Sequence, residues 1–324
     1  MKKALISGLF SLMLASIFTV PAFAEELIVG GQVLGIQIST EGVLVAELSE
    51  LETEDGTVSP AAEAGMKPGD LILKIDGKEV YDASSVISAV EQATDTELNI
   101  SIRRGAKDME LKLSPAENTE GRKMLGLLLR DGMGGIGTLT YCDPDSGSYG
   151  ALGHSVNDAE AKHDMPLREG NVTQAQIVSV KPGAAGDPGE LNGVADLNRV
   201  IGTVEKNTGV GIFGKLYNSP EGQLMETGLM SPGPASIIST VNGSERRQFS
   251  VEINRVYRDS SGTHAMLTVT DPELLAKTGG IVQGMSGSPI IQNGKLVGAV
   301  THVLVNDPTR GYGIFIENML DAAG

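Results

Sequence analysis

The sequence predicts a mainly β protein with few helices, organised in two domains. Short runs of Val, Ile and Leu alternate with Gly, Pro, Asn and Asp along most of the chain, which is typical of many short strands joined by turns. Long amphipathic helical patterns are scarce. The length of 324 residues is enough for two domains that each bury a hydrophobic core.

The composition limits the classes of partner and cofactor. The formal net charge is -16, and such a surface repels phosphate backbones, so we expect no nucleic-acid partner. Cys142 is the only cysteine, which excludes an internal disulfide and a cysteine-rich metal site. We expect no metal and no cofactor, because zinc-ligand spacing is missing from the four histidines, His154, His163, His264 and His302.

Residues 1–24 have the pattern of an export signal. Lys2 and Lys3 precede an uncharged apolar run, and Ala22-Phe23-Ala24 places small residues before an acidic pair. The alternative is an uncleaved anchor, because the apolar run is close to membrane-spanning length. In both cases we expect the rest of the chain to lie outside the cytoplasm, with membrane contact only through this segment if it is retained.

Residues 25–115 show the pattern strand, loop, strand, helix, strand. Alternating apolar residues at Leu71, Leu73 and Ile75 predict one buried strand face, and Asp76-Gly77 is a hairpin turn. The run from Ala64 to Gly77, Ala-Gly-x-x-x-Gly-Asp-x-Ile-x-x-Ile-x-Gly, closely resembles a PDZ domain in the circular arrangement of bacterial proteases.

The PDZ resemblance implies a peptide-binding loop near the start of this segment. Val33, Leu34, Gly35 and Ile36 match the loop whose amides bind a peptide carboxylate in that family, and the strand that follows offers its edge to an extended peptide. The ligand can belong to another protein or to this same chain. The alternative is a PDZ fold that serves only as a spacer or lid. Polar residues 116–123 are predicted to link the PDZ-like segment 25–115 to a second domain at 124–324.

The second domain contains a candidate nucleophile, Ser286, in a glycine-rich turn before the β-branched strand Pro289-Ile290-Ile291. Serine peptidases present their nucleophile on such a turn, and the amides of Gly284 and Ser286 can converge there on an oxyanion. One alternative is a flexible surface loop. Another is Ser288 as the nucleophile, although Pro289 constrains its backbone towards an extended conformation.

His154 follows a predicted strand and a glycine, a position that suits a general base. The alternative is an ordinary surface or core histidine. Cys142 is a second candidate nucleophile beside His154, or else a small half-buried residue after an apolar strand.

Asp271 ends a predicted strand just before Pro272. It either caps the helix that follows or holds the imidazole in the required tautomer. Four aspartates nearer to His154 in the sequence are rivals for that second role: Asp143, Asp145, Asp158 and Asp164.

The chain resembles the stage IV sporulation protein B (SpoIVB) peptidase family over nearly its whole mature length. The resemblance rests on the export signal, the PDZ-like segment and the stretches around His154, Asp271 and Ser286. The resemblance implies a chymotrypsin-like double β-barrel at 124–324 and a catalytic triad of His154, Asp271 and Ser286. In ordinary chymotrypsin-like enzymes the acid lies well before the last barrel, whereas Asp271 closely precedes Ser286.

The same resemblance implies a signalling function in endospore formation. The peptidase would be secreted into the space between the forespore and mother-cell membranes and would cleave the extracytoplasmic part of an inhibitory membrane protein. This cleavage would release an intramembrane metalloprotease that activates a late sigma factor. Two other functions stay open: a PDZ scaffold with a degenerate peptidase domain, and a general quality-control protease of the cell envelope.

Overall fold

The computed structural model describes residues 25–94, 96–156, 167–259 and 262–324. The segment predicted as an export signal, residues 1–24, lies outside the described residues. The described chain is mainly β, which confirms the predicted fold class, and it forms two β-barrels and a smaller domain. Within these ranges, the structure contains no helix with the length and apolar character needed to cross a bilayer.

The chain begins with strands β1 (Glu26–Val29) and β2 (Val33–Thr40) and then enters the smaller domain. The elements of this domain are, in order, β3 (Val43–Leu48), β4 (Leu51–Thr53), β5 (Gly56–Val58), α1 (Pro60–Glu63), β6 (Leu71–Ile75), β7 (Lys78–Glu79), α2 (Ala83–Glu91), β8 (Leu98–Arg104), β9 (Lys107–Leu113), β10 (Ala116–Glu117), β11 (Lys123–Met124) and β12 (Leu127–Arg130). Its main sheet has the order β12-β3-β6-β8-β9. Asp82 caps α2 through the amide of Ser85, and Val86 and Val90, one helical turn apart, join the domain core.

The first barrel combines β2 with strands that come after the smaller domain. These strands are β13 (Met133–Cys142), β14 (Ser148–Ala151), β15 (Leu167–Lys181), β16 (Glu190–Thr208), β17 (Gly211–Leu216) and β18 (Leu224–Glu226). The order β14-β17-β16-β15-β2-β13 closes into a ring because β13 also pairs with β14, while β1 and β18 extend the sheet beyond β13. Alternate residues of β2, Leu34, Ile36 and Ile38, are buried in the barrel core.

The second barrel is closed in the order β19-β20-β21-β24-β23-β22. Its strands are β19 (Gly233–Thr240), β20 (Arg246–Asp259), β21 (Gly262–Val269), β22 (Pro289–Gln292), β23 (Lys295–Val303) and β24 (Arg310–Phe315). Helix α3 (Pro272–Thr278) lies between β21 and β22, and α4 (Ile316–Ala323) follows β24. The core of this barrel includes Phe249, Leu267 and Val300.

The predicted domain boundaries differ from the structure. The smaller domain is an insertion between β2 and β13, which pair with each other from Val33↔Thr138 to Ile38↔Met133. The start of the predicted 25–115 domain therefore belongs to the first barrel. The predicted linker 116–123 contains β10 and part of β11, which form a hairpin, and β12, predicted to open the second domain, is a strand of the inserted sheet. Local composition could not reveal a strand pair interrupted by a whole domain.

The predicted peptide-binding loop is also wrong. Val33, Leu34, Gly35 and Ile36 lie in β2, where Leu34 to Ile36 pair with β13 on one side and with β15 on the other. Because both edges of the strand are occupied, its backbone has no free edge for a peptide. The hydrophobic pattern of this segment serves the barrel core instead.

Candidate active site

A cavity of about 520 Å³ is lined by residues of both barrels, and it contains the two predicted reacting side chains, His154 and Ser286. The first barrel contributes Ile36, the segment 134–136 and the turn at His154. The second barrel contributes the segment 281–284, Ser286 and the end of β23. The structure therefore brings together two residues that are far apart in the sequence.

Ser286 lies in the turn between α3 and β22 and is half-buried. Its Oγ donates a hydrogen bond to the carbonyl oxygen of Thr301 at 2.6 Å. Gly287 has a φ of +92°, and a Cβ at that position would lie 2.1 Å from the carbonyl oxygen of Thr138. The serine turn can therefore approach the backbone of β13 only because residue 287 is glycine.

The predicted oxyanion hole consists of the amides of Gly284 and Ser286, in the same turn as the candidate nucleophile. Thr138 holds the turn from one side, donating from Oγ1 to the carbonyl of Gly284 and from its amide to the carbonyl of Ser286, both at 3.0 Å. The carbonyl of Met285 accepts from Ser288 Oγ at 2.7 Å, so the amide of the same trans peptide, that of Ser286, points the opposite way. Among the described residues neither amide has an acceptor, which leaves both for a substrate oxygen. Their role stays a prediction.

His154 follows β14 through a tight turn in which Leu152 and Gly153 have φ values of +69° and +70°. Its Nδ1 lies 2.8 Å from the carbonyl oxygen of Ser155. Because a carbonyl only accepts, Nδ1 carries the proton in the neutral ring, and Nε2 is the nitrogen that can accept one. Burial lowers the pKa of His154 below its ordinary value, against the opposing effect of the Ser155 carbonyl. The ring is therefore neutral at neutral pH, as a general base must be.

Thr301 and His302, at the end of β23, connect the two reacting residues. Thr301 accepts the hydrogen bond from Ser286, and the ring of His302 contacts that of His154 in a tilted arrangement, with centroids 4.7 Å apart. Desolvation and the charge on a protonated His154 both lower the pKa of His302. No hydrogen bond among the described residues joins Ser286 directly to His154. The sequence prediction assigned these two residues no role, since nothing local in the Thr-His pair indicates what it faces.

Among the described residues, no hydrogen bond joins the carboxylate of Asp271 to His154. Asp271 is the N-cap of α3: Oδ1 accepts from the amides of Glu273 and Leu274, both at 3.0 Å, and Oδ2 accepts from the amide of Ser250 at 3.2 Å. Burial acts to raise the pKa of Asp271, but these three amides outweigh it and hold the pKa below its ordinary value. These contacts are those of the local alternative, an Asp-Pro helix start, and they give no support to the predicted role as catalytic acid.

Replacing Asp271 with alanine is expected to lower the free energy of unfolding by about 1 kcal/mol, because the cap of α3 is lost. The rate of labelling by a fluorophosphonate, per folded molecule, should stay within a few-fold of the wild-type rate. Chemical denaturation and labelling kinetics measure the two quantities. The isosteric Asp271→Asn variant separates the roles, because a triad acid would lose about 10⁴-fold in rate on that change, and such a loss would contradict the structure.

Two of the other predicted rivals, Asp143 and Ser288, have structural roles. Asp143 accepts hydrogen bonds within its own turn, from the amide of Asp145 and from Ser146. Ser288 is fully buried and donates to the carbonyl of Met285. Asp158, Asp164 and His163 lie outside the described residues.

Cys142 is not placed as a nucleophile. It is fully buried in the first barrel, and burial raises the pKa of its thiol to about 11. The thiol is therefore protonated at neutral pH and chemically inert. Among the described residues, no three His, Cys, Asp or Glu side chains form a group that could hold a metal ion. The expected absence of a metal and of a cofactor stays a prediction.

A second concave site lies on the inserted domain, between α2 and β12. This α2–β12 groove has a volume of about 360 Å³ and is lined by Val86, Ile87, Val90, Met124, Leu127 and Leu129. In the described sheet, β12 pairs only with β3 and leaves its other edge free. A free strand edge beside an apolar helix is the arrangement that binds an extended peptide. The sequence prediction missed it by assigning the Leu125-Gly126-Leu127 stretch to the peptidase domain.

The pH dependence of labelling should follow the protonation of His154. The pKa of this ring is lowered from 6.5, and only the neutral ring can accept the serine proton. The labelling rate should therefore fall as the pH is lowered, with a midpoint below about pH 6.5, and stay constant at higher pH up to about pH 8. Rate constants for a fluorophosphonate measured across this range provide the test. A midpoint at or above about pH 7 would contradict the lowered pKa.

Comparison with known proteins gives two family matches. Residues 121–320 match the model described as SpoIVB peptidase S55, and residues 57–104 match a PDZ domain. The second match lies inside the inserted domain.

Matches to individual proteins are more local. A segment of 59 residues is 42% identical to serine protease HTRA1 of Xenopus tropicalis, covering 18% of this chain and 13% of that protein. A segment of 67 residues is 33% identical to the regulator of sigma-W protease RasP of Bacillus subtilis, covering 20% and 16%. The chain thus spans a small part of the length of these curated relatives. The active form of the Rv3671c protease from M. tuberculosis is 15% identical, with 59% of this chain and 75% of that chain covered at a TM-score of 0.35.

Proposed function

Because the chain belongs to the SpoIVB peptidase S55 family, whose model matches residues 121–320, we propose that it is a serine endopeptidase with Ser286 as nucleophile and His154 as general base. One observation carries this proposal. The two side chains line the same cavity, and Thr301 and His302 connect them by a hydrogen bond and a ring contact.

The proposed reaction is acyl transfer from a peptide to Ser286 and then to water. The Oγ of Ser286 exchanges its bond to Thr301 for one to Nε2 of His154 and attacks the carbonyl carbon of the substrate. His154 takes the hydroxyl proton and gives it to the leaving amine. The amides of Gly284 and Ser286 stabilise the negative oxygen of the tetrahedral intermediate. Water then hydrolyses the acyl-enzyme, with His154 again acting as the base.

The proposed substrate is the extracytoplasmic part of a membrane-anchored regulatory protein. This rests on the family membership and on the signal-like pattern of residues 1–24, from which we propose an exported protein. In a spore-forming cell, the compartment would be the space between the forespore and mother-cell membranes. The cleavage would release an intramembrane metalloprotease and so lead to the activation of a late sigma factor.

The α2–β12 groove is proposed to bind an extended peptide that adds a strand to β12. The peptide comes from the substrate protein or from another segment of this same chain. Two exposed apolar side chains support this proposal, since Ile87 and Leu128 have exposed fractions of 53% and 54% and neither is needed to fill the domain core.

Cleavage patterns test the proposed function. The full chain is incubated with the extracytoplasmic part of a membrane regulator from the same cell and, separately, with unfolded casein, and the fragments are mapped by mass spectrometry. We expect cleavage at a few sites in the regulator and little digestion of casein. An Ile87→Asp variant should cleave the regulator more slowly but react with a fluorophosphonate at the wild-type rate, and Leu229→Asp, at an exposed residue outside the groove, is its matched control.

The other outcomes of this experiment support the other functions. Broad digestion of casein would favour a general quality-control protease. Binding of the regulator without cleavage, together with no fluorophosphonate labelling, would leave a PDZ scaffold whose peptidase domain is inactive.

A further inference from the structure

Asn207, at the end of β16, is bonded to the chain segment that carries His154. Its Oδ1 accepts a hydrogen bond from the amide of Val156 at 2.8 Å, and its Nδ2 donates to the carbonyl oxygen of Val156 at 2.9 Å. Val156 lies two residues after His154. One side-chain amide thus satisfies both backbone groups of a single residue, as a neighbouring strand would.

The His154 segment requires such support because it lies outside the β ladder. β14 ends at Ala151, and the next two residues, Leu152 and Gly153, have left-handed conformations, which are rare for leucine. Before His154, the segment is tied by the bond from the amide of Leu152 to the carbonyl of Thr138, at 3.3 Å. After His154, it is tied by the two bonds to Asn207. The imidazole is therefore held between two attachment points.

Asn207 is itself in a regular position of the first barrel. Ala151 of β14 pairs with Ile212 of β17, and Ile212 also pairs with Asn207 of β16. The end of β14 and the end of β16 are therefore in register on either side of β17. The turn that follows is closed by Thr208, whose Oγ1 donates to the carbonyl of Gly211 at 3.1 Å. Asn207 is half-buried, and its amide is directed from a fixed strand to a segment that has no strand of its own.

We propose that Asn207 is a positioning residue for His154. This proposal rests on the peptidase activity proposed above. It acts through the main chain of Val156 and holds the imidazole in the cavity that Ser286 also lines. Asparagine is the side chain that fits, because Val156 presents one donor and one acceptor. An aspartate would accept from the amide but would place a negative oxygen against the carbonyl oxygen, and a leucine would make neither bond.

Substitution of Asn207 tests the proposal in the full-length chain. The variants Asn207→Asp and Asn207→Leu have nearly the size of asparagine, and Asn254→Asp is the matched control, since Asn254 is an exposed residue of β20 bonded to Thr268. The rate constant of fluorophosphonate labelling, the final labelled fraction, and kcat and KM for a short peptide substrate are measured for each. Both Asn207 variants should label about tenfold to 10²-fold more slowly, but to the same final fraction. Their kcat should fall by the same factor, with KM changed less than about twofold, and the control should match the wild type.

Two results would overturn the proposal. Labelling at the wild-type rate but to a smaller final fraction would show that Asn207 only helps the chain to fold. Labelling at the wild-type rate and to the full fraction would show that the bonds to Val156 do not control the base. If the wild type itself is not labelled, the peptidase function fails and this proposal fails with it, whereas a labelled wild type with unaffected Asn207 variants removes the positioning role alone.

Discussion

Replacing Ser286 with alanine is expected to reduce kcat for peptide hydrolysis by about 10⁴-fold or more and to abolish fluorophosphonate labelling. The Oγ atom is the only group of this turn that lies in the cavity with His154 and can form the acyl bond. What remains would come from the amides of Gly284 and Ser286, which still stabilise an oxyanion. Hydrolysis of a fluorogenic peptide and labelling of the purified full chain measure both effects.

Ser288→Ala is the matched control for this variant. Ser288 lies two residues further on, in the same turn, but it is fully buried and its hydroxyl donates to the carbonyl of Met285. Its loss should lower the free energy of unfolding by about 1 kcal/mol and leave labelling complete. If Ser288→Ala lost labelling while Ser286→Ala retained it, the nucleophile would be misassigned.

Replacing His154 with alanine is expected to cause a comparable loss, also about 10⁴-fold or more in kcat. The serine hydroxyl is a weak nucleophile at neutral pH unless a base removes its proton, and His154 is the imidazole whose Nε2 is left free by the bond from Nδ1 to Ser155. Labelling by a fluorophosphonate should slow by a similar factor, because that reaction uses the same activated hydroxyl.

His264→Ala is the control for the histidine. His264 lies on β21 with its Nε2 3.2 Å from Oδ1 of Asp259, outside the residues that line the cavity. This variant should keep the wild-type kcat. A His154→Ala variant with more than about a tenth of the wild-type kcat would be incompatible with a general base at this position.

In the second barrel, local sequence signals decide the structure around Ser286. The turn at Ser286 and the strand that follows it were predicted correctly, since the glycines and Pro289 are local signals that act over a few residues. Asp271 shows the limit of this kind of prediction. Its local pattern left two roles open, and only the positions of the amides of Ser250 and Leu274 show that it caps a helix.

In the inserted domain, the sequence motif was recognised but its boundaries were wrong. The Ala64 to Gly77 pattern lies inside the domain. β2 was assigned to the same domain because Val33 to Ile36 matched the peptide-binding loop of the PDZ family, but it belongs to the first barrel. The pairing of β2 with β13 depends on residues nearly a hundred positions apart, and no turn signal joins them.

The amino-acid sequence by itself determined the mainly β class, the glycine turn that presents Ser286 and the histidine that follows β14. These features depend on backbone conformations that each residue type prefers, and on side-chain alternation along single strands. Tertiary structure alone decided that the ring of His302 contacts that of His154, that Thr301 accepts from Ser286, and that Asn207 is bonded to Val156. Each of these contacts forms only when the barrels close, because closure brings together side chains that no periodic pattern along the chain relates to one another.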